Sequence, residues 1–173
     1  MHYALAVKNL DKEYFTLIED LITNESVQRL ANITHHHFTN RLEHSISVSY
    51  LSYRLAKQWN LDVRSTARAA LLHDFFHENR QEMANIPGGS HSYLHPRIAL
   101  KNARQITELN ELEQDIIAKH MFLVSKCWFP KYRESFIVTF VDKYVAMKEV
   151  SLPIISMFQQ SIIHKIEKLL PFK

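Results

Sequence analysis

The chain has 173 residues, and 21 lysines and arginines against 18 aspartates and glutamates leave a net charge of +3. Hydrophobic residues make up 46% and charged residues 23%, a mix that suits one folded domain with a substantial core and argues against disorder. No apolar run approaches the roughly 20 residues of a membrane-spanning helix, and the basic residues are too scattered to form a nucleic-acid stripe. The first eight residues lack the basic start and apolar stretch of an export signal, and Cys127 is the lone cysteine. A cytoplasmic protein without an intrachain disulfide is the expectation.

Two glycines and five prolines leave little material for the turns of a β-rich fold. Apolar residues recur at helical spacing instead, so the expected fold is all-α: a single domain over 1–173 with about seven helices. An N-terminal helix falls within 11–33. Asn40 followed three residues later by Glu43 reads as a capping box, predicting a helix from Arg41 to Gln58 that carries Ile46, Val48, Leu51, Leu55 and Ala56. Asn60-Leu61-Asp62 breaks it. A second helix, with Ala67, Ala70, Leu71 and Leu72, ends at His73-Asp74. Asn79 to Ser92, which contains Pro87-Gly88-Gly89, reads as a long loop, with Pro96 in the first turn of the next helix. Leu109, Leu112, Ile116, Ile117 and Met121 mark another helix. Pro130 precedes a helix from Ser135 to Val150, within which Phe136–Val141 has a strand-like composition but helical surroundings. Pro153 then separates a last amphipathic helix over 152–169, expected to dock on the domain.

Eleven histidines are the compositional anomaly. His44, the adjacent pair His73-Asp74, and Asp142 fall on three of the predicted helices, with His95 and His120 between them. Imidazole nitrogen and carboxylate oxygen together suit Zn, Mn, Fe, Co or Ni, and helices can carry such ligands inward from several directions. Ligand type does not choose among these metals.

The matching segments are Arg41-Leu42-Glu43-His44-Ser45, Leu71-Leu72-His73-Asp74, His91-Ser92-Tyr93-Leu94-His95-Pro96, Lys119-His120 and Val141-Asp142-Lys143. In that order they resemble the HD-domain superfamily of metal-dependent phosphohydrolases, over residues 41 to 148. The added histidines resemble its two-metal members, such as the HD-type diadenosine-tetraphosphate hydrolases. The resemblance implies one ion on His44, His73, Asp74 and Asp142, with Asp74 bridging to a second on His95 and His120. It also implies hydrolysis of a nucleotide or related small phosphate ester by hydroxide shared between the ions, with Asp74 at the reaction centre. Arg41, His91, Lys119 and Lys143 are the candidate substrate-binding residues, Arg41 through its planar fork. Many HD enzymes carry a basic residue shortly after the His-Asp pair, where this chain has Phe75-Phe76-His77-Glu78-Asn79-Arg80; His77 or Arg80 is the candidate substitute. The Gly-Tyr-Pro signature of the cyclic-di-GMP enzymes is missing. The alternative from another class is a non-catalytic nucleotide- or metal-binding regulatory module. His35-His36-His37 reads as a solvated loop, Phe75 and Phe76 as core packing, and Trp128-Phe129-Pro130 as a cover or a helix-helix plug.

Overall fold

The computed structural model describes residues 4, 7, 11–35, 39–125 and 129–169, and the side chains of these except at 35, 80 and 152–169. Asp11 caps α1 (Lys12–Ile22) by accepting from the Tyr14 backbone N–H, and Asn24 does the same for the short α2 (Glu25–Gln28) through Ser26. A 3₁₀ turn over Arg29–Asn32 leads into a two-residue antiparallel ribbon, β1 (Thr34–His35) with β2 (Thr39–Asn40), in which Thr34 faces Asn40. The ribbon delivers Asn40 to the start of α3 (Arg41–Gln58). There its side chain accepts from Glu43 N–H at 2.9 Å, and the Glu43 carboxylate accepts from Asn40 N–H at 3.3 Å. The predicted box and both predicted ends of this helix are present. After α4 (Val63–Leu72), capped by Asp62, the same reciprocal box opens α5 (Arg80–Ala84) at Asn79–Glu82 and α7 (Glu111–Lys119) at Asn110–Glu113. Between them runs α6 (His91–Ile106), and α8 (Arg133–Leu169) completes the described elements.

The fold is all-α, as expected, but two proline boundaries are corrected. The 79–92 segment holds α5, and α6 begins at His91, so Pro96 lies inside the helix rather than in its first turn. The backbone likewise stays helical across Pro153, making α8 one element of 37 residues, about 55 Å long, in place of two helices. A proline removes one backbone donor and need not end a helix that is held on both sides. His2, His36, His37, Cys127 and Trp128 lie outside the described residues, as do the side chains of His35, Arg80 and the expected docking helix 152–169.

The centre of the core is the pair α3 and α4, with α8 packed against α3. Ser45, Ser49 and Ser52 of α3 are fully buried. Ser49 donates to the Ala67 carbonyl at 2.6 Å and accepts from Tyr14 at 2.7 Å. Small side chains let the two backbones approach closely, and that approach brings the start of α3 next to the end of α4. Around them pack Leu42, Val48, Tyr53, Leu71 and Leu72, and from α8 Ile137, Val138, Val141 and Val145. Phe75 and Phe76 are core residues, as expected.

Two buried polar hubs set how the outer helices sit. The Arg68 guanidinium donates to both oxygens of Asp20 at 2.5 and 2.8 Å, to the Leu17 carbonyl at 3.1 Å and to Thr107 at 3.1 Å, joining α1 and the end of α6 to α4. Asp115 on α7 accepts from Ser135 Oγ at 2.7 Å and from Lys131 N–H at 2.9 Å, and pairs with Lys119. Burial, the largest influence on Asp115, raises its pKa, but the Lys119, Ser135 and Lys131 donors outweigh it and hold the carboxyl below its usual value. A lowered folded pKa adds stability that is complete above the unfolded value and is lost as pH falls through the folded one. Asp115→Ala is therefore expected to lose about 1–3 kcal/mol at neutral pH, the cost of stranding buried donors. In urea melts the gap between wild type and Asp115→Asn closes as pH drops below about 4; a gap that widens there contradicts the assignment.

Candidate metal centre

The proposed ligands sit where helices begin, end or cross the middle of the bundle. His44 closes the first turn of α3, His73 caps the end of α4 with Asp74 directly after it, and His120 caps the end of α7. His95 lies in the second turn of α6 and Asp142 in the third turn of α8. Where α4 and α7 stop, the chain turns, and the capping histidine points inward instead of along the helix surface. All six side chains are buried, His44 and His73 completely.

The six converge. His44, His73 and Asp142 form one group, and His73, Asp74 and His120 another, with ligand atoms in each within 4.8 Å of one another. His44 Nε2 lies 3.1 Å from Asp142 Oδ1, and His73 Nε2 lies 3.8 Å from both Asp142 Oδ1 and Asp74 Oδ2. Asp74 Oδ1 lies 3.2 Å from His95 Nε2 and 3.5 Å from His120 Nε2. His73 thus belongs to both sets, Asp74 reaches from His73 to His95 and His120, and every imidazole presents Nε2 to the middle.

The opposite nitrogens explain this orientation. Nδ1–H of His73 donates to the Ala70 carbonyl at 2.7 Å, that of His95 to His91 at 2.9 Å, and that of His120 to Ile117 at 2.9 Å. A carbonyl only accepts, so each Nδ1 carries a proton and Nε2 is the atom left to face the centre. The Nε2 atoms of His95 and His120 then face each other at 2.8 Å. Two lone pairs hold that spacing only with a proton or a cation between them, and it is near the roughly 3 Å between two nitrogens bound to one ion. His73 Nε2 and Asp74 Oδ1, both buried, make no hydrogen bond. Orphaned atoms of this chemistry, gathered in one place, fit divalent transition ions.

Burial drives the His73 pKa down to about 4, so its ring is neutral at pH 7 and free to coordinate. Burial also opposes charge on His44, but Asp142 and Glu149, one at each ring nitrogen, outweigh it and lift the pKa to about 9. Desolvation raises the carboxyl of Asp74, yet His73, His95 and His120 together hold it well below the usual range. Asp142 is lowered in the same sense, against burial, by His44, His73 and Lys143. Asp74 and Asp142 are thus held ionised beside a neutral His73, the protonation states in which all three can coordinate a cation.

The structure divides the four proposed substrate contacts. Lys143 reaches the cluster: its ammonium lies 2.5 Å from Asp142 Oδ2 and 2.9 Å from Met121 Sδ, at the partly exposed rim. Neighbours on a helix diverge, but the long lysine side chain curls back. His91 flanks the cluster, its ring 4.9 Å from that of His95. Arg41 is turned away from solvent. It donates to the Phe76 carbonyl at 2.5 Å and the Glu78 carbonyl at 3.4 Å, and lies 3.6 Å over the Phe76 ring. Lys119 pairs with Asp115 and lines a separate depression with Glu111, Lys131 and Tyr132. It is not brought to the cluster. His77 is tied by Nε2 to the Ser26 carbonyl at 2.9 Å. Glu149 escaped the sequence reading, although it follows Asp142 by seven residues, two helical turns on one face.

These features define an all-α domain with a buried histidine–carboxylate centre suited to divalent metal. The family model for the HD domain matches residues 41–147, more than half of the chain, and the chain belongs to the HD-domain family. That superfamily is one of metal-dependent phosphohydrolases. No curated protein and no solved structure matches the chain significantly.

Metal-free protein given Mn²⁺ at about 100 times its dissociation constant is expected to gain about 2.7 kcal/mol of stability, a rise in Tm of roughly 5–10 °C by thermal shift. His120→Ala, which removes one ligand atom, is expected to cut that rise; an equal rise in the variant would show that the ion binds elsewhere.

Proposed function

We propose that the chain is a phosphohydrolase using one or two divalent ions held by His44, His73, Asp74, His95, His120 and Asp142. The single observation that carries this reading is the meeting of His95 Nε2, His120 Nε2 and Asp74 Oδ1 at 2.8–3.5 Å, with the His73 Nε2 and Asp74 Oδ1 atoms left without hydrogen bonds. Divalent ions bound there would make water nucleophilic near neutral pH and offset charge on a phosphoryl group. Asp74, with one oxygen toward His73 and the other toward His95 and His120, is the carboxylate we assign to both ions. Lys143 gives a cation at the rim, able to leave Asp142 and donate to a phosphate oxygen. His91, beside His95, is the second candidate contact.

A nucleotide is the substrate class we favour. Phe122, two residues after His120, packs edge to face with Phe136 and Phe129 at 5.5 and 5.6 Å between ring centres. The Phe129 ring stays 72% exposed. An exposed aromatic cluster that begins two residues after His120 supports stacking of a base.

The test is a panel of nucleoside mono-, di- and cyclic phosphates beside simple phosphate esters, run with Mn²⁺, Fe²⁺, Co²⁺, Ni²⁺, Zn²⁺ and Mg²⁺. Asp74→Asn is expected to lower kcat by at least about 10²–10³-fold, the scale seen when one preorganised electrostatic partner is removed. Undiminished turnover in that variant would overturn the mechanism. Tight nucleotide binding with no turnover under any ion would favour the regulatory module instead.

Lys143→Ala is expected to raise KM at least about tenfold, equivalent to one charge-assisted hydrogen bond, with a smaller effect on kcat. Lys119→Ala is expected to leave KM unchanged, and steady-state kinetics of the two variants side by side distinguish the lysine at the cluster from the one turned away.

A further inference from the structure

Three of the four clustered histidines take the proton acceptor for Nδ1 from their own helix, three or four residues back: Ala70, His91 and Ile117. His44 differs. Its Nδ1 meets a side chain from another helix, the Glu149 carboxylate of α8, at 3.0 Å. That carboxylate is largely enclosed, with 12% of its side chain exposed. Asp142 and Glu149, two turns apart on one face of α8, hold the two ring nitrogens of His44 between them.

We propose that Glu149 is the positioning residue of the metal centre: its carboxylate accepts the Nδ1 proton of His44 and so fixes Nε2 as the atom that faces the ion. The inference rests on the metal-centre reading above and deepens it. A carboxylate acceptor sets the ring's tautomer and angle and makes Nε2 a stronger donor to metal than a backbone carbonyl partner does. Once an ion takes the place between His44 Nε2 and Asp142, Glu149 keeps the hydrogen bond it has now. Glu149 itself lies outside the two ligand groups, which are closed by His44, His73, Asp142 and by His73, Asp74, His120. Its effect therefore falls on the His44 half of the centre.

The experiment is calorimetric titration of the metal-free full-length protein with Mn²⁺, in wild type, Glu149→Gln and Glu149→Leu, with far-UV circular dichroism to show that each is folded. Glu149→Leu is expected to weaken the ion on the His44 side about 10–100-fold, the usual cost of losing such a partner. Glu149→Gln is expected to lose less, because its amide oxygen still accepts from Nδ1–H. The ion on the His95 and His120 side keeps its affinity, and His120→Ala gives the opposite pattern. Wild-type Mn²⁺ affinity at both positions in both Glu149 variants, even with a lowered Tm, overturns the assignment and leaves a packing role. A wild-type protein that takes up no Mn²⁺ overturns the metal reading itself, and the Glu149 assignment with it.

Discussion

Four imidazoles and two carboxylates packed at the centre of a helical domain form a constraint that the surrounding structure has to satisfy. Each buried polar atom without a partner costs about 1–3 kcal/mol, against a total stability for such a domain of about 5–15 kcal/mol. The two orphaned atoms, His73 Nε2 and Asp74 Oδ1, and the facing nitrogens of His95 and His120 therefore claim a large share of the available stability. A cation bound there would convert that cost into a gain and so would add to stability. The apolar layers of α3, α4 and α8, and the Arg68 hub that ties α1 and α6 to them, have to hold the ligands in place against this cost.

The helix α8 does more of this than any other single element. Its core face, Val138, Val141 and Val145, packs into the domain, while Asp142 and Glu149 take hold of His44 and Lys143 reaches the rim. One rotation or one-turn slip of α8 would displace all of these together. The start of the helix is accordingly fastened twice: Ser135 donates to Asp115, and Glu134 accepts from the Asp62 backbone N–H at 3.1 Å. Buried polar bonds at the first turn thus fix the register of charged groups two to four turns further on.

The convergence of six histidine and aspartate side chains was legible in the sequence because the family pattern depends on residue type and order, and these survive without coordinates. The start of α3 was legible for a similar reason, since the Asn40–Glu43 box is closed entirely by local atoms. Pro96 and Pro153 misled because a proline weakens a helix by one bond, and the neighbouring turns decide whether it stops. Glu149 and Arg68 were invisible for the converse reason. Their partners lie 105 and 48 residues away, and an isolated Glu or Arg on a helix ordinarily reads as a solvated charge. Lys143 was undervalued because helical geometry fixes Cβ directions, whereas four further bonds allow an ammonium to return to its neighbour's carboxylate.

The missing basic residue after the His-Asp pair also has a structural answer. The loop at Phe76–Glu78 does receive a cation, but from α3: Arg41 bonds the carbonyls of Phe76 and Glu78 and lies over the Phe76 ring, which also meets the His95 ring at 5.4 Å. Buried and committed to backbone oxygens, that guanidinium holds the chain leaving Asp74 and backs a ligand histidine. Lys143 brings a second cation to the cluster from α8, with its ammonium partly open to solvent. A buried cation held by backbone oxygens and a partly exposed one beside Asp142 thus come from two different helices.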